Sequence, residues 1–216
     1  MDQTIFHLIN ERWTNHFLDL FMAALSDIDV WKPFLIIIVV AALIFGGFKA
    51  RACVGCLLLS LILAQQVTHA LKPAIDRSRP KQVETVRMVQ LPKVHPEFRA
   101  LFKKPIVRYS GQSDRTRSDP SFPSGHMTNN TVVAVCLTLF YGRRGALYWI
   151  VTAAMAYSRV YLGAHWPSDV VGTVFLATGE ALLVIAFLEL IWRWIAPKWM
   201  SATFQSHPSL VINPSR

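Results

Sequence analysis

Five apolar runs, at 31–48, 53–71, 127–141, 147–162 and 170–195, divide this chain of 216 residues. A helix that crosses the hydrocarbon of a bilayer needs about 20 mainly apolar residues, in a range of roughly 17–25. The longer runs meet that length. The expected fold is therefore all-α: a polytopic membrane helical bundle of five or six spans. The run at 127–141 is short and carries Asn129 and Asn130. A buried helix of a soluble protein would suit it alone, but its neighbours favour a bundle in lipid. Ahead of the first run, Ile5, Ile9, Trp13, Phe17, Phe21 and Leu25 recur every fourth residue, with Asn10, Arg12, Asn15 and Asp19 on the other side. This spacing predicts an N-terminal amphipathic helix. It would lie in the membrane interface, or else form the sixth span. Asp2 and Glu11 spoil the charge pattern of a signal peptide, and no small-residue cleavage site follows.

Charge separates the remaining classes. The 53% hydrophobic content excludes a disordered chain, and three cysteines exclude a disulfide scaffold. The net charge is nevertheless +9, which in a soluble domain would suggest nucleic acid. Residues 72–126 hold twelve Lys and Arg against five Asp and Glu, and so carry +7 of that +9. A nucleic-acid domain would spread its cations along a folded face. Here a basic segment interrupts apolar runs, which suits anionic lipid and no nucleic acid. The expected organisation is one membrane-embedded domain at 1–200, with 72–126 as a long basic loop, and a C-terminal tail at 201–216; charge alone leaves the side of that loop open, since positive-inside counting would place it in the cytoplasm. Loops of such length are usually functional or disordered. This one reads either as a lid over a lipid headgroup or as a mobile segment lying on anionic lipid. Cys53 and Cys56 are spaced like a redox or zinc pair but lack further ligands, so they read as packing residues, as does Cys136. Trp166, Trp192, Trp194 and Trp199 read as interfacial anchors.

Three polar clusters stand at the ends of apolar runs. The first extends from Lys72 to Arg79 and Pro80. If the chain stays helical, Lys72 and Arg79 share a face and aim at one anion. Alone, they also read as snorkelling charges at a helix end. The second is Pro123-Ser124-Gly125-His126. Ser124 is a good N-cap, and free amides beside a glycine make an anion site. An ordinary capped helix start with a surface histidine fits equally. The third holds Ser158, Arg159, His165 and Asp169. Ionisable groups in spans are costly and functional by default, and a carboxylate beside a histidine fixes its tautomer. A loop histidine before a helix-starting aspartate fits equally. Together the clusters supply cations, an amide nest, histidines and an orienting carboxylate at one end of the spans. That is an inventory for phosphoryl transfer through a histidine nucleophile.

The combined pattern, K-x6-RP, then PSGH, then SR-x5-H-x3-D, resembles the signature of the type 2 phosphatidic acid phosphatases, which share it with vanadium haloperoxidases. The resemblance covers residues 50–190 and implies roles one by one. His165 would be the nucleophile, Asp169 its orienting carboxylate and His126 the general acid. Lys72, Arg79, Ser124, Gly125 and Arg159 would hold the phosphate. It implies no metal and no cofactor. It also implies a bacterial cytoplasmic membrane location with the site on the extracytoplasmic side, leaving the short loops with Lys49, Arg51, Arg143 and Arg144 inside. The expected function is a multi-pass lipid phosphatase working through a phosphohistidine. Undecaprenyl diphosphate is the first-choice substrate, and phosphatidylglycerophosphate, phosphatidic acid and lipid A phosphate are the alternatives. A soluble haloperoxidase disagrees with the apolar runs. A non-enzymatic lipid-binding or transport protein would not need both histidines and Asp169.

Overall fold

The structure is a computed structural model and describes residues 1–116 and 119–211. Arg117, one of the twelve cations, and the end of the tail at 212–216 lie outside the described residues. The chain begins with α1 (Asp2–His7), a π-helical turn (Leu8–Arg12) and α2 (His16–Ser26). The long helices α3 (Ile28–Phe45) and α4 (Phe48–Ile75) follow. The basic segment contains α5 (Pro80–Val83), β1 (Arg87–Gln90), a 3-10 helix (Glu97–Phe102), β2 (Ile106–Tyr109) and α6 (Gln112–Arg115). Then come α7 (Gly125–Tyr141), α8 (Arg143–Ala146), α9 (Tyr148–Tyr161), α10 (Pro167–Trp199) and α11 (Ser201–Ser206).

Helix α7 sits at the centre, packed against α4, α9 and α10. Cys53 and Cys56 of α4, Val132, Cys136 and Phe140 of α7, and Ala177, Ala181 and Ile185 of α10 form one buried cluster. The cysteines are therefore packing residues, and all three are free thiols. Ala64, Ala134, Ala177 and Ala181 are almost wholly buried. Such small residues let helix backbones approach closely, as lipid-embedded bundles require. The outward faces are apolar: Ile37, Ile38, Phe175, Leu183 and Phe187 are all exposed. Helices α3, α4 and α10 are long and apolar enough to cross a membrane. Helices α7 and α9 are shorter, at 17 and 14 residues. Asn129 and Asn130, which weaken the 127–141 run, are both paired, Asn130 partly buried and Asn129 exposed. The Gln65 amide donates to Asn129, and the Tyr148 hydroxyl to Asn130 at 3.1 Å.

The N-terminal stretch, expected as one amphipathic helix, is two helical pieces broken near Trp13, with Asn10 and Asp19 facing inward and Arg12 and Asn15 exposed. Asn10 is fully buried, donating to the carbonyls of Tyr161 at 2.7 Å and Arg87 at 2.9 Å, and accepting from the Arg87 amide at 3.1 Å. The Asp19 carboxylate accepts from Arg87 at 2.7 Å and from the Tyr161 hydroxyl at 2.7 Å. Ile5, Trp13, Phe17 and Phe21 point outward and are exposed. Asp19 and Arg87 make a largely buried pair, and removing one partner of such a pair costs about 3–5 kcal/mol because the other charge is left uncompensated. Asp19→Ala should lower the melting temperature in detergent markedly, whereas an unchanged melt would show that the pair contributes nothing to folding.

The basic segment is folded, and the chain is not purely α-helical. Strands β1 and β2 form an antiparallel pair with Arg87 opposite Tyr109 and Gln90 opposite Ile106. Besides Lys72 and Arg79, which pair with Asp119, three of the segment's cations meet carboxylates within the protein: Arg77 meets Asp2 and Asp169, Arg87 meets Asp19, and Arg108 meets Asp114. Of the expected tail, residues 201–211 fold back on α10. There the Trp192 indole donates to the His207 carbonyl at 3.0 Å, and the Leu210 amide to Glu189 at 2.8 Å.

Candidate active site

The site forms where α4 ends, α7 begins, α9 ends and α10 begins. Lys72 lies in the last turns of α4. The helix does not continue to Arg79, as the shared-face reading required. It stops at Ile75, and Asp76 takes the left-handed conformation at φ 43°, which aspartate tolerates better than most residues. The turn carries Arg79 to the start of α5. Both cations still converge, because Lys72 Nζ lies 3.0 Å and Arg79 Nη2 2.9 Å from the Asp119 carboxylate. Burial alone would raise the Asp119 pKa, but Lys72 and Arg79 reverse the sign and hold it below its ordinary value. Arg79 is fixed further by its Nε–H on the Asp119 carbonyl at 2.9 Å and its Nη1–H on the Ala164 carbonyl at 3.1 Å.

Ser124 stands at the N-cap position of α7 but makes no capping hydrogen bond. Its hydroxyl is buried and has no partner among the described residues, while its amide donates to Thr173 Oγ1 at 3.0 Å. Room is left at Gly125, where an added Cβ would come no closer than 3.9 Å to the Gln65 side chain. Next to it, His126 Nε2 lies 3.1 Å from the Ser26 carbonyl, to which it donates. Arg159, in the last turn of α9, is half-buried, and its Nε is enclosed without a partner. Buried polar atoms are nearly always paired in folded proteins. The Ser124 hydroxyl and the Arg159 Nε–H are exceptions to that rule among the described residues.

The loop between α9 and α10 carries His165. It begins with Gly163 at φ 71°, where a Cβ would also meet the Arg87 carbonyl at 2.8 Å. Only glycine allows the loop to pass so close to β1. His165 is 2% exposed. Burial, then the charges of Arg79 and Arg159, push its pKa well below the ordinary histidine value, so the ring is neutral at pH 7. Its Nε2 lies 3.4 Å from Arg79 Nη1, a donor, which leaves Nε2 as the acceptor and the proton on Nδ1. Nδ1 faces the Ser121 hydroxyl at 3.4 Å and Asp169 Oδ2 at 3.9 Å. Asp169 is fully buried. Its Oδ2 accepts from Ser121 and from the Trp166 amide at 2.9 Å, and its Oδ1 from Arg77 at 2.6 Å. The expected histidine–carboxylate contact is thus bridged by a serine.

All eight residues singled out in the sequence lie at this end of the bundle: Lys72, Arg79, Ser124, Gly125, His126, Arg159, His165 and Asp169. Sequence reasoning missed Arg77, Asp119, Ser121, Ser26 and Asp2. The first three lie inside or beside the motifs, and their charge or hydroxyl was the available signal. Ser26 and Asp2 had none. Trp166 is not an interfacial anchor, since it is 6% exposed and donates to the Ser78 carbonyl at 2.9 Å. A cavity of about 800 Å³ opens from Arg79 and Arg159 between the N-terminal segment and the β1 hairpin. Ser26, Asp29, Lys81, Lys93 and Glu97 are among its walls.

A neutral buried histidine backed by a carboxylate and faced by cations, at one end of a bundle with lipid-facing helices, defines a class: membrane enzymes that handle phosphate. Residues 54–194 match the model of the PAP2 superfamily, and the chain belongs to that family. It is 28% identical over 218 residues to the lipid A 4'-phosphatase of Porphyromonas gingivalis, covering 95% of this chain and 72% of that protein. A second lipid A 4'-phosphatase, from Bacteroides thetaiotaomicron, is 28% identical over 72% of this chain and 63% of its own length. The undecaprenyl-diphosphatase of Sulfolobus acidocaldarius is 36% identical over a shorter stretch, 32% of this chain and 34% of that one. Among solved structures, Aquifex aeolicus LpxE superposes with a TM-score of 0.59 at 21% identity, covering 86% and 94% of the two chains. The PAP2 type phosphatidylglycerolphosphate phosphatase of Bacillus subtilis gives 0.57 at 21% identity, over 89% and 88%. These two likenesses concern the fold.

Proposed function

We propose that this chain is a lipid phosphatase in which His165 Nε2 attacks phosphorus and forms a phosphohistidine. The observation that carries the reading is the neutral His165, presenting its unprotonated Nε2 to Arg79, with Asp169 behind Nδ1. Lys72, Arg79 and Arg159 neutralise the phosphate oxygens as charge builds in the transition state, and the Ser124 hydroxyl and Gly125 amide complete the cradle. His126 protonates the departing oxygen, and water then hydrolyses the phosphohistidine. The ring becomes positively charged on attack, and Asp169 stabilises that charge. The reaction uses no metal.

The chain works as one membrane-embedded unit of residues 1–200 with five crossings, α3, α4, α7, α9 and α10, and the site at the extracytoplasmic side of a bacterial cytoplasmic membrane. Lys49, Arg51, Arg143 and Arg144 stand at the opposite helix ends, where Lys49 lies over the Tyr141 ring at 5.3 Å; these short basic loops suit the cytoplasmic side, and the basic segment 72–126 is then the outer exception to the positive-inside rule. For the substrate, a phosphate on a large polar lipid headgroup, as in lipid A, is favoured over undecaprenyl diphosphate. The cavity beside Arg79 and Arg159 is walled by groups of both signs and has the size of a ligand site. The similarity that spans most of the chain is to lipid A 4'-phosphatases. Undecaprenyl diphosphate is the second reading, supported by the 36% identical stretch shared with a diphosphatase.

The test is phosphate release by purified protein in detergent from lipid A, undecaprenyl diphosphate, phosphatidylglycerophosphate and phosphatidic acid, each with and without EDTA. The expected result is release unaffected by EDTA, with the highest kcat/KM on lipid A. Release abolished by EDTA would overturn the metal-free mechanism, and no release from any lipid would overturn the reading.

A further inference from the structure

We infer that Asp2 is a positioning residue for the active-site carboxylate Asp169, acting through Arg77, so that an N-terminal segment outside the family-matched region completes the site. The inference rests on the phosphohistidine reading above.

Arg77 is gripped by two carboxylates. Its Nη1 lies 2.6 Å from Asp169 Oδ1, and its Nη2 lies 2.7 Å from Asp2 Oδ2. Asp2 also binds the residue just before Asp169. It accepts from the Ser168 amide at 2.9 Å and from the Ser168 hydroxyl. Burial opposes ionisation of Asp2, but its bonds to Ser168 and Arg77 hold its carboxyl below the ordinary value. Two further anchors keep the segment in place. Phe6 is fully buried and meets Trp166 with ring centroids 5.1 Å apart. Asn10 caps the Tyr161 carbonyl at 2.7 Å, at the end of α9. The segment thus grips both flanks of the loop that carries His165. The family match begins only at residue 54, so this arrangement is not part of the matched pattern.

Electrostatics give the contact a purpose. Attack by His165 leaves its ring positive, and Asp169 must present negative charge to Nδ1 at that moment. An arginine 2.6 Å away would cancel that charge if Asp169 were its only partner. Asp2 shares the cation, and the trio of Asp2, Arg77 and Asp169 keeps a net charge of about −1 by Coulombic addition. Removing Asp2 leaves a neutral pair, and the phosphohistidine forms more slowly. The phosphate cradle is untouched, so binding of the ground state is preserved.

The experiment uses the full chain in detergent micelles, with lipid A and phosphatidic acid as probes. Asp2→Ala should lower kcat about tenfold with KM changed less than about twofold, and should slow single-turnover release of the leaving lipid, followed by rapid quench with enzyme in excess, by a similar factor without lowering its end-point. Asp2→Glu, which keeps a carboxylate, should recover most of the rate. In an Arg77→Ala background, Asp2→Ala should cost little more, because residues acting through one another are not additive. Three results would overturn the inference: wild-type kcat in Asp2→Ala, a reduced single-turnover end-point at an unchanged rate, which reports misfolding, or additive losses in the double variant. A wild-type chain that releases no phosphate removes the reaction and the inference with it. An active wild type beside an unimpaired Asp2→Ala removes the inference alone.

Discussion

His165→Ala is expected to abolish phosphate release while leaving the chain folded. The loss should be at least about 10⁴-fold, the scale on which removal of a nucleophile is felt where catalytic groups act as a unit. No neighbouring group replaces it, since Ser121 is engaged with Asp169. The fold should survive because the ring makes only long polar contacts, at 3.4, 3.4 and 3.9 Å. Wild-type protein quenched in base during turnover should retain label from a radiolabelled phosphate lipid, because phosphohistidine is acid-labile and base-stable. The variant should retain none. Near-normal turnover by a folded His165→Ala protein would sink the mechanism.

Arg79→Lys should be almost as damaging although charge is conserved. Arg79 uses its planar fork on the Asp119 carboxylate, the Asp119 carbonyl, the Ala164 carbonyl and His165 Nε2. An ammonium group cannot reproduce that geometry. The group that holds His165 in its tautomer and the group that faces the transferring phosphate are the same side chain. The expected outcome is a fall in kcat of about 10²–10³-fold, the scale for losing one preorganised donor at a developing charge. Steady-state kinetics on the same lipid panel would measure it, and a change confined to KM would show that Arg79 only captures substrate.

The eight motif residues were legible because each cluster is local: a few residues at fixed spacing beside an apolar run reveal a helix end and its chemistry. Convergence of the clusters followed from alternating helix directions. The N-terminal segment was legible only in part. Periodicity gives an apolar stripe and a polar side, and Phe17 and Phe21 do face outward. It does not name the partners of the polar side: Asn10 and Asp19 are buried against Arg87 and Tyr161, which lie far along the chain. The β1–β2 pair was hidden by its shortness, four residues in each strand. The bridging Ser121 was hidden because its partners are 44 and 48 residues away. The excess cations, which looked like a lipid-facing patch, are in part internal ties, as Arg77, Arg87 and Arg108 show.

Asp119 has a consequence for turnover. Its carboxylate spans Lys72 and Arg79, the two cations assigned to the phosphate. A tethered anion competes with every free one at high effective concentration. On the proposed mechanism substrate would have to displace it, which would weaken ground-state affinity, and inorganic phosphate formed in the site would meet the same competitor returning. The carboxylate would then act as an internal product-expelling group, relieving product inhibition in return for a higher KM, which would suit a lipid substrate already concentrated in the plane of the membrane.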